Sequence, residues 1–298
     1  MNQTRISLVL PAKNETNSIG GVVARVRERL PEAEIIVVDD GSTDDTGPAA
    51  QRAGARVVRN PYSLGNGGAV KAGVRAASGD ILVFMDADGQ HDPSEIPRLI
   101  EKIEQGYDMA VGARTDACQA GHGRKWANRF YNWLASYMTG QKIIDLTSGF
   151  RGVKAQLFRE FLYLLPNGFS YPTTVTMAFF RAGYSVSYLP IAAAKRVGES
   201  HIHPLKDGLR FLLIIFKVGT LYSPLKLFVP LAAIHAVLGI VYYGYTYFTA
   251  ERLSVATVFL LTAGVTIFLI GLVSEQITAL MYKDSGQRSP SGKDTLPR

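Results

Sequence analysis

Two carboxylates one residue apart, Asp86 and Asp88, follow the apolar run Ile81-Leu82-Val83-Phe84-Met85 and precede Gly89, Gln90 and His91. The run reads as a buried parallel strand. Residues two apart on an extended chain point to the same side, so both carboxylates can aim at one point. Paired hard oxygens at the carboxyl end of a strand suit Mg²⁺ or Mn²⁺ holding a diphosphate. A solvated acidic turn is the plain alternative, since Asp and Gly are ordinary turn residues.

A second acidic stretch is Val37-Val38-Asp39-Asp40-Gly41-Ser42-Thr43-Asp44-Asp45-Thr46. It ends a strand and opens a helix, with Ser42 or Thr43 available as the cap. A capped helix with an acidic first turn explains Asp44 and Asp45. It does not explain Asp39 beside Asp40 at the strand end, where like charges repel unless a ligand or metal uses them. A nucleobase N–H and ribose hydroxyls are natural partners there. A third stretch, Pro11-Ala12-Lys13-Asn14-Glu15, follows the first strand and reads either as part of the same site or as a loop with a helix start. The Gly-rich Gly65-Asn66-Gly67-Gly68-Ala69-Val70-Lys71 matches neither the Walker pattern nor the dinucleotide fingerprint. It fits a helix start beside a phosphate or close packing of that helix on the sheet.

Apolar strands over Ile6–Leu10, Glu34–Val38, Arg56–Arg59, Ile81–Met85 and Met109–Val111 alternate with helical patterns such as Ser18–Leu30 and Gly67–Ala77. That alternation predicts an α/β fold, an open parallel sheet with right-handed crossovers. Ligands in such sheets sit at the carboxyl ends of the strands, so Glu15, Asp39 and Asp86 should converge on one crevice. Residues 113–200 are less regular.

Two stretches without formal charge, Leu227–Phe248 and Leu253–Ser274, are each 22 residues long in a chain of 298. As helices each covers roughly 33 Å, enough to cross a hydrocarbon core of about 30 Å. A helix from Leu205 places Lys206, Arg210 and Lys217 together beside an apolar face, as expected of a helix lying in a membrane surface. Basic residues before the first span and after the second put both termini inside, by the positive-inside rule. The amino terminus enters the first strand almost at once, with no signal peptide expected. The single cysteine, Cys118, forms no internal disulfide and fits a reducing compartment. The net charge of +7 suits anionic headgroups, and no nucleic-acid reading motif accompanies it.

Taken in order, the Pro11–Glu15, Val37–Asp44 and Asp86–Gln90 motifs resemble the family-2 inverting glycosyltransferases of GT-A type. Gly112-Ala113-Arg114, Asp145-Leu146-Thr147-Ser148-Gly149-Phe150-Arg151, and Arg196 followed by Gly198 and Ser200 narrow the resemblance. With the surface helix and two spans, they are similar to the dolichol-phosphate mannose synthase and bacterial polyprenyl-phosphate glycosyltransferase branch. The resemblance implies a Rossmann-like GT-A catalytic domain over 1–203 with a mostly parallel sheet. It also implies an amphipathic interface helix over 204–224, a transmembrane hairpin over 225–282 and a disordered cytoplasmic tail over 283–298. It implies transfer of a hexose from a UDP- or GDP-linked sugar to a polyprenyl phosphate at the cytoplasmic face of the cell membrane, with Mg²⁺ or Mn²⁺. Pro11, Asn14, Glu15, Asp39, Asp40 and Asp86 would line the nucleotide pocket, while Asp86, Asp88 and Gln90 hold the metal and diphosphate. Asp88, Arg114, Arg129 and Arg196 would be catalytic, the arginines gathering phosphates as planar guanidinium forks do. Arg129 is aligned only by approximate distance. Ser148 and Arg151 would shape the acceptor side or stabilise their loop. The sequence leaves homo-oligomer formation open.

One departure bears on the acceptor. Many family-2 enzymes carry an acidic base in the region after Gly168, yet Phe169–Phe180 holds no Asp or Glu. A hydroxyl acceptor wants a general base, whereas a phosphate monoester is already an anionic nucleophile. The absence favours a lipid phosphate, with another lipid or saccharide acceptor as the alternative. A nucleotidyltransferase should carry a Gly-rich, Arg-bearing loop after the first strand, which Pro11–Glu15 is not. A non-catalytic membrane partner retaining the fold fits poorly with an intact acidic cluster.

Overall fold

The computed structural model describes residues 4–114, 122–168, 170–191, 213, 216, 219, 220 and 223–286, with the side chains of 122–127 and 281–286 left aside. It divides into two units, 1–215 and 216–298.

In the first unit, β1 (Ile6–Ala12), β2 (Glu34–Asp39), β3 (Arg56–Arg59) and β4 (Ile81–Phe84) are joined by α1 (Thr16–Arg29), α2 (Thr46–Arg52) and α3 (Asn66–Ala76). A 3₁₀ turn over Pro93–Glu95 leads into α4 (Ile96–Glu104) and β5 (Met109–Arg114). Then come α5 (His122–Thr139), β6 (Arg151–Lys154), α6 (Ala155–Glu160), α7 (Tyr171–Arg181) and β7 (Val186–Ile191). The sheet runs β3-β2-β1-β4-β6-β5-β7. All neighbours are parallel except β6, which is antiparallel to both β4 and β5.

The central strands are continuous apolar runs because helices cover both faces. Leu8, Leu10, Ile35, Val37, Ile81 and Val83 pack with α1 through Ile19, Val22, Val23 and Val26. α4 presents Ile96, Leu99, Ile100 and Ile103 inward, the stripe expected of a surface helix. All five expected strands form, and β6 and β7 join them. The mostly parallel sheet therefore gains one reversed member, whose amino end lies beside the carboxyl ends of its neighbours: Arg151 pairs with Phe84 and Val111.

Helix α3 is closely packed, Gly67 on a loop and Gly73, just past the Gly-rich stretch, on the sheet. A Cβ at Gly67 would lie 2.0 Å from the Pro166 carbonyl oxygen, and one at Gly73 would lie 2.3 Å from Val9 Cγ1 on the sheet. The Gly68 amide donates to Asn167 O at 2.8 Å. The start of α3 is thereby engaged by the Pro166–Gly168 segment.

The second unit is a helical hairpin, α8 (Pro224–Ala250) and α9 (Val255–Gly286). Pro224 opens α8, where its missing N–H is no loss, and Pro230 lies inside the helix. Both helices are long and apolar enough to cross a membrane. Ile240, Val241, Phe259 and Val273 are exposed, as suits helices solvated by lipid. Glycines let the two backbones approach: a Cβ at Gly271 would lie 2.6 Å from Phe228 Cβ, and one at Gly239 would lie 2.8 Å from Leu261 Cδ2. The Leu225 amide, in the first turn of α8, donates to Glu275 Oε2 at 3.4 Å. α9 runs to Gly286, so residues 283–286 are helical rather than part of a disordered tail. Residues 287–298, Cys118, and Lys206, Arg210 and Lys217 of the expected interface helix lie outside the described residues.

Candidate active site

The carboxyl ends of β1, β2, β4 and β5 share one edge of the sheet with the amino end of β6. From β2 to β5 that edge spans about 19 Å at roughly 4.8 Å per strand. Every described site residue expected from the sequence except Arg129 comes from a strand end or loop on this edge.

At one end, the loops after β1 and β2 are stapled together. Asn14 sits in the left-handed region at φ 55°, which Asn tolerates. Its amide donates to Ser42 Oγ at 3.0 Å, and its Oδ1 accepts the Thr43 amide at 2.9 Å. The Glu15 amide donates to Thr46 Oγ1 at 2.8 Å, and Asp44 accepts the amides of Thr16 and Thr46. Ser42 and Thr43 therefore do not cap α2. They bind Asn14 instead, and α2 begins at Thr46 without a side-chain cap. Pro11 and Glu15 are half-buried beside this staple, and Asn14 is exposed.

Asp39 and Asp40 are 2% and 4% exposed. Asp39 Oδ1 accepts the Ser42 amide at 2.9 Å, and its Oδ2 faces Arg59 Nε at 3.6 Å. Asp40 takes four hydrogen bonds, from Asn60 Nδ2 at 2.7 Å, Ser63 Oγ at 2.8 Å, and the amides of Leu64 and Gly65 at 2.9 Å. Burial would raise its pKa, but these donors outweigh burial and hold it below the ordinary carboxylate range. The like-charge pair is thus stabilised by the chain itself, and Asp40 anchors the 60–65 loop. Gly41, at φ 67°, lets that loop close: a Cβ there would lie 2.7 Å from the Ser63 nitrogen.

The middle of the edge holds Asp86, Asp88 and Gln90, all half-buried. The Gln90 amide donates to Asp88 Oδ1 at 3.1 Å. Gly149 presses its backbone on Asp86, where a Cβ would lie 3.1 Å from Oδ2. His91 Nε2 lies 3.9 Å from the same oxygen. Burial holds the His91 imidazole below its ordinary pKa, against the pull of Asp86 and Asp88. Among the described residues no three His, Cys, Asp or Glu side chains cluster to hold a metal by themselves. Two carboxylates and an amide oxygen nevertheless fit a Mg²⁺ or Mn²⁺ site of the kind that substrate phosphates complete.

Beyond β4, Arg114 at the end of β5 is gripped by Asp145. Its Nε and Nη2 donate to Oδ2 and Oδ1, each at 2.9 Å, and Nη2 also reaches Thr147 Oγ1 at 2.5 Å. Burial opposes the Arg114 charge, but Asp145 more than offsets it and holds the guanidinium above its ordinary pKa. Asp145, which also accepts the amides of Thr147 and Ser148, is held low in return.

Ser148 and Arg151, expected to shape the acceptor side or to stabilise their loop, lie inside the domain. They are 1% and 0% exposed, so neither side chain presents a surface to an acceptor. Ser148 Oγ donates to Gly112 O at 2.6 Å. Arg151 donates to Pro172 O at 3.2 Å, to Thr176 Oγ1 at 3.1 Å and to Ser148 O. Both fix the 145–151 loop, the second of the two roles expected for them. Arg129 is exposed on α5, and Arg196 lies outside the described residues. Sequence reasoning assigned no role to His91 or Asp145, although both stood inside quoted motifs. The signal for Asp145 was an acid followed by Thr147 and Ser148, whose amides it accepts.

Residues 7–163 match the family model described as glycosyl transferase family 2, and residues 223–280 match that of the GtrB C-terminal hairpin. The undecaprenyl-phosphate mannosyltransferase of Micrococcus luteus is 31% identical over 213 residues, 66% of this chain and 86% of that protein. The dolichyl-phosphate hexose transferase of Haloferax volcanii is 30% identical over 217 residues, covering 72% and 93%. The glucosyl-3-phosphoglycerate synthase of Mycobacterium tuberculosis, solved with Mn²⁺ and UDP-glucose, superposes with a TM-score of 0.58 at 25% identity. That alignment covers 72% of this chain and 79% of the solved one.

Proposed function

The chain belongs to glycosyl transferase family 2, and on that premise we propose that it moves a hexose from a nucleotide-diphosphate sugar to a polyprenyl phosphate. One observation carries the reading. The same chain joins an acidic Asp86-Ala87-Asp88 loop at the end of β4 to a hairpin of two apolar helices that matches the GtrB hairpin family. Relatives named for transfer to undecaprenyl and dolichyl phosphate support the acceptor class.

In this reading residues 1–203 are catalytic, 204–224 lie in the membrane surface, 225–282 cross the membrane, and 287–298, beyond the end of α9, form a tail. The catalytic domain and both termini face the cytoplasm. Pro11, Asn14 and Glu15 line the nucleotide pocket, with Asp39 and Asp40 holding its walls. Asp86, Asp88 and Gln90 hold a divalent cation together with the donor diphosphate. Mg²⁺ or Mn²⁺, when bound, supplies neutralisation of charge on the leaving diphosphate.

The lipid phosphate oxygen attacks C1 from the face opposite the diphosphate, which inverts the configuration. Its charge needs no base, consistent with a helix α7 whose Tyr171–Arg181 holds no acid. Arg114 approaches the phosphates with Nη1, the nitrogen that Asp145 and Thr147 do not engage. Arg129 and Arg196 complete the arginine set. Fixed positive groups aimed at developing charge are the main catalytic contribution, and membrane-surface positioning of the acceptor adds to it.

The test is incubation of the detergent-purified chain with Mn²⁺, polyprenyl phosphate and a panel of labelled UDP- and GDP-sugars. Label entering the organic phase from one donor supports the reading and names the sugar. Nucleotide-sugar binding without lipid labelling would assign the enzyme a different acceptor.

A further inference from the structure

His91 has no part in the transfer as derived, yet it is 6% exposed and its Nδ1 has no hydrogen-bond partner among the described residues. Its ring lies flat on Phe150, with centroids 5.0 Å apart and planes 12° from parallel. An apolar ring of similar size would pack there without leaving a buried nitrogen unpaired, so packing alone does not account for an imidazole. The other nitrogen has a direction: Nε2 faces Asp86 Oδ2 at 3.9 Å. Gly149, the neighbour of Phe150, closes on the same carboxylate. Asp86 is therefore flanked at Oδ2 by His91 and Gly149, while 39% of its side chain stays exposed.

We propose that His91 is a positioning residue for Asp86, its Nε2 steering Oδ2 so that the carboxylate presents a fixed face to the cation and diphosphate. Carboxylates that hold metals are themselves held by hydrogen bonds, and removing such a partner weakens metal binding about 10–100-fold. At 3.9 Å, Nε2 and Oδ2 are beyond hydrogen-bond reach in this structure. In the proposal they close that gap when the cation and diphosphate bind, as catalytic contacts do in the bound complex. Phe150 sets the ring plane, and Arg151 next to it is bonded to Ser148 O, Pro172 O and Thr176. The imidazole is thus oriented by a segment that is itself fixed. This inference rests on the reading of Asp86 and Asp88 as the metal-holding pair.

The experiment measures Mn²⁺ affinity of the full chain in detergent by electron paramagnetic resonance, with Mn²⁺ alone and with UDP or GDP. His91→Phe keeps the stacked ring and removes both nitrogens; His91→Gln returns a donor near the Nε2 position. Asp88→Ala is the control for the site. The proposal expects His91→Phe to weaken Mn²⁺ binding about 10-fold or more, and His91→Gln to recover most of that loss. Native affinity in His91→Phe would overturn it, as would equal losses in both variants, which would assign the effect to ring packing. Where circular dichroism finds the Phe chain unfolded, His91→Leu takes its place against His91→Gln with the same two outcomes. Mn²⁺ binding that Asp88→Ala leaves unchanged would remove the metal reading and this inference together. Binding lost in Asp88→Ala but native in His91→Phe would remove this inference alone.

Discussion

The Asp145 carboxylate holds Arg114 by both edges of one fork, Nε to Oδ2 and Nη2 to Oδ1, each at 2.9 Å. A guanidinium pinned in this way is pre-aimed, because its plane is set before any phosphate arrives. Asp145→Ala is expected to cost about 2–3 kcal/mol of stability. That is less than breaking a fully buried pair, because the Arg114 side chain is 30% exposed. The same substitution should lower the transfer rate more than Arg114→Lys raises the donor KM. Chemical denaturation and steady-state kinetics on the two variants check both statements.

Asp88→Ala should abolish transfer while leaving the thermal transition within a few degrees of native, since Asp88 is half-buried on a loop outside the core. Chelation of divalent ions from the native chain should have the same effect, reversed by added Mn²⁺. Activity that survives both treatments would remove the metal from the mechanism.

Asp40 makes stability depend on acid. Its native pKa lies below the unfolded value of about 3.9, so its contribution is complete above that value and is lost as pH falls through the native pKa. Asp145 adds to the same acid limb. In Asp40→Asn, with fewer acceptor positions for four donors, stability at pH 7 should fall by about 2 kcal/mol and the loss below pH 4 should flatten. Urea unfolding of both chains between pH 3 and pH 7 measures this.

Gly67→Ala should be costly for a helix position, by about 3 kcal/mol, because its Cβ would fall 2.0 Å from the Pro166 carbonyl oxygen, a backbone atom that cannot step aside. Gly20→Ala, with open space around it on α1, should be neutral or slightly stabilising. Melting temperatures of the pair separate packing from helix propensity.

The β1, β2 and β4 side of this edge was legible in the sequence because strand, loop and acid follow one another within a few residues. β1, β2 and β4 are apolar runs, and the motifs that follow them land on one edge. β6 was not legible. It is four residues long, begins with Arg151-Gly152, and owes its place to pairing with strands on both sides rather than to any pattern of its own. β7 carries Pro190, tolerable only because β7 is an edge strand. The meaning of Asp40 was hidden for a related reason. Its repulsion with Asp39 was visible, but its four donors come from positions 60–65, a distance in sequence that no local spacing reveals. Which of the two roles expected of Arg151 it fills was hidden, because Pro172 and Thr176, which receive it, lie more than twenty residues further on.

The reversed strand has an effect on how this enzyme can diversify. Were β6 parallel, its amino end and the loop before it would lie at the far edge of the sheet, away from Asp86. Because β6 runs backward, Gly149 and Phe150 arrive beside Asp86 and His91, and Asp145 arrives beside Arg114. Halves of two relatives joined after β5 therefore meet across this seam. Such a hybrid inherits its Asp86–His91 loop from one parent and the segment packed behind it from the other, so compatibility at 145–151 decides whether the two fit.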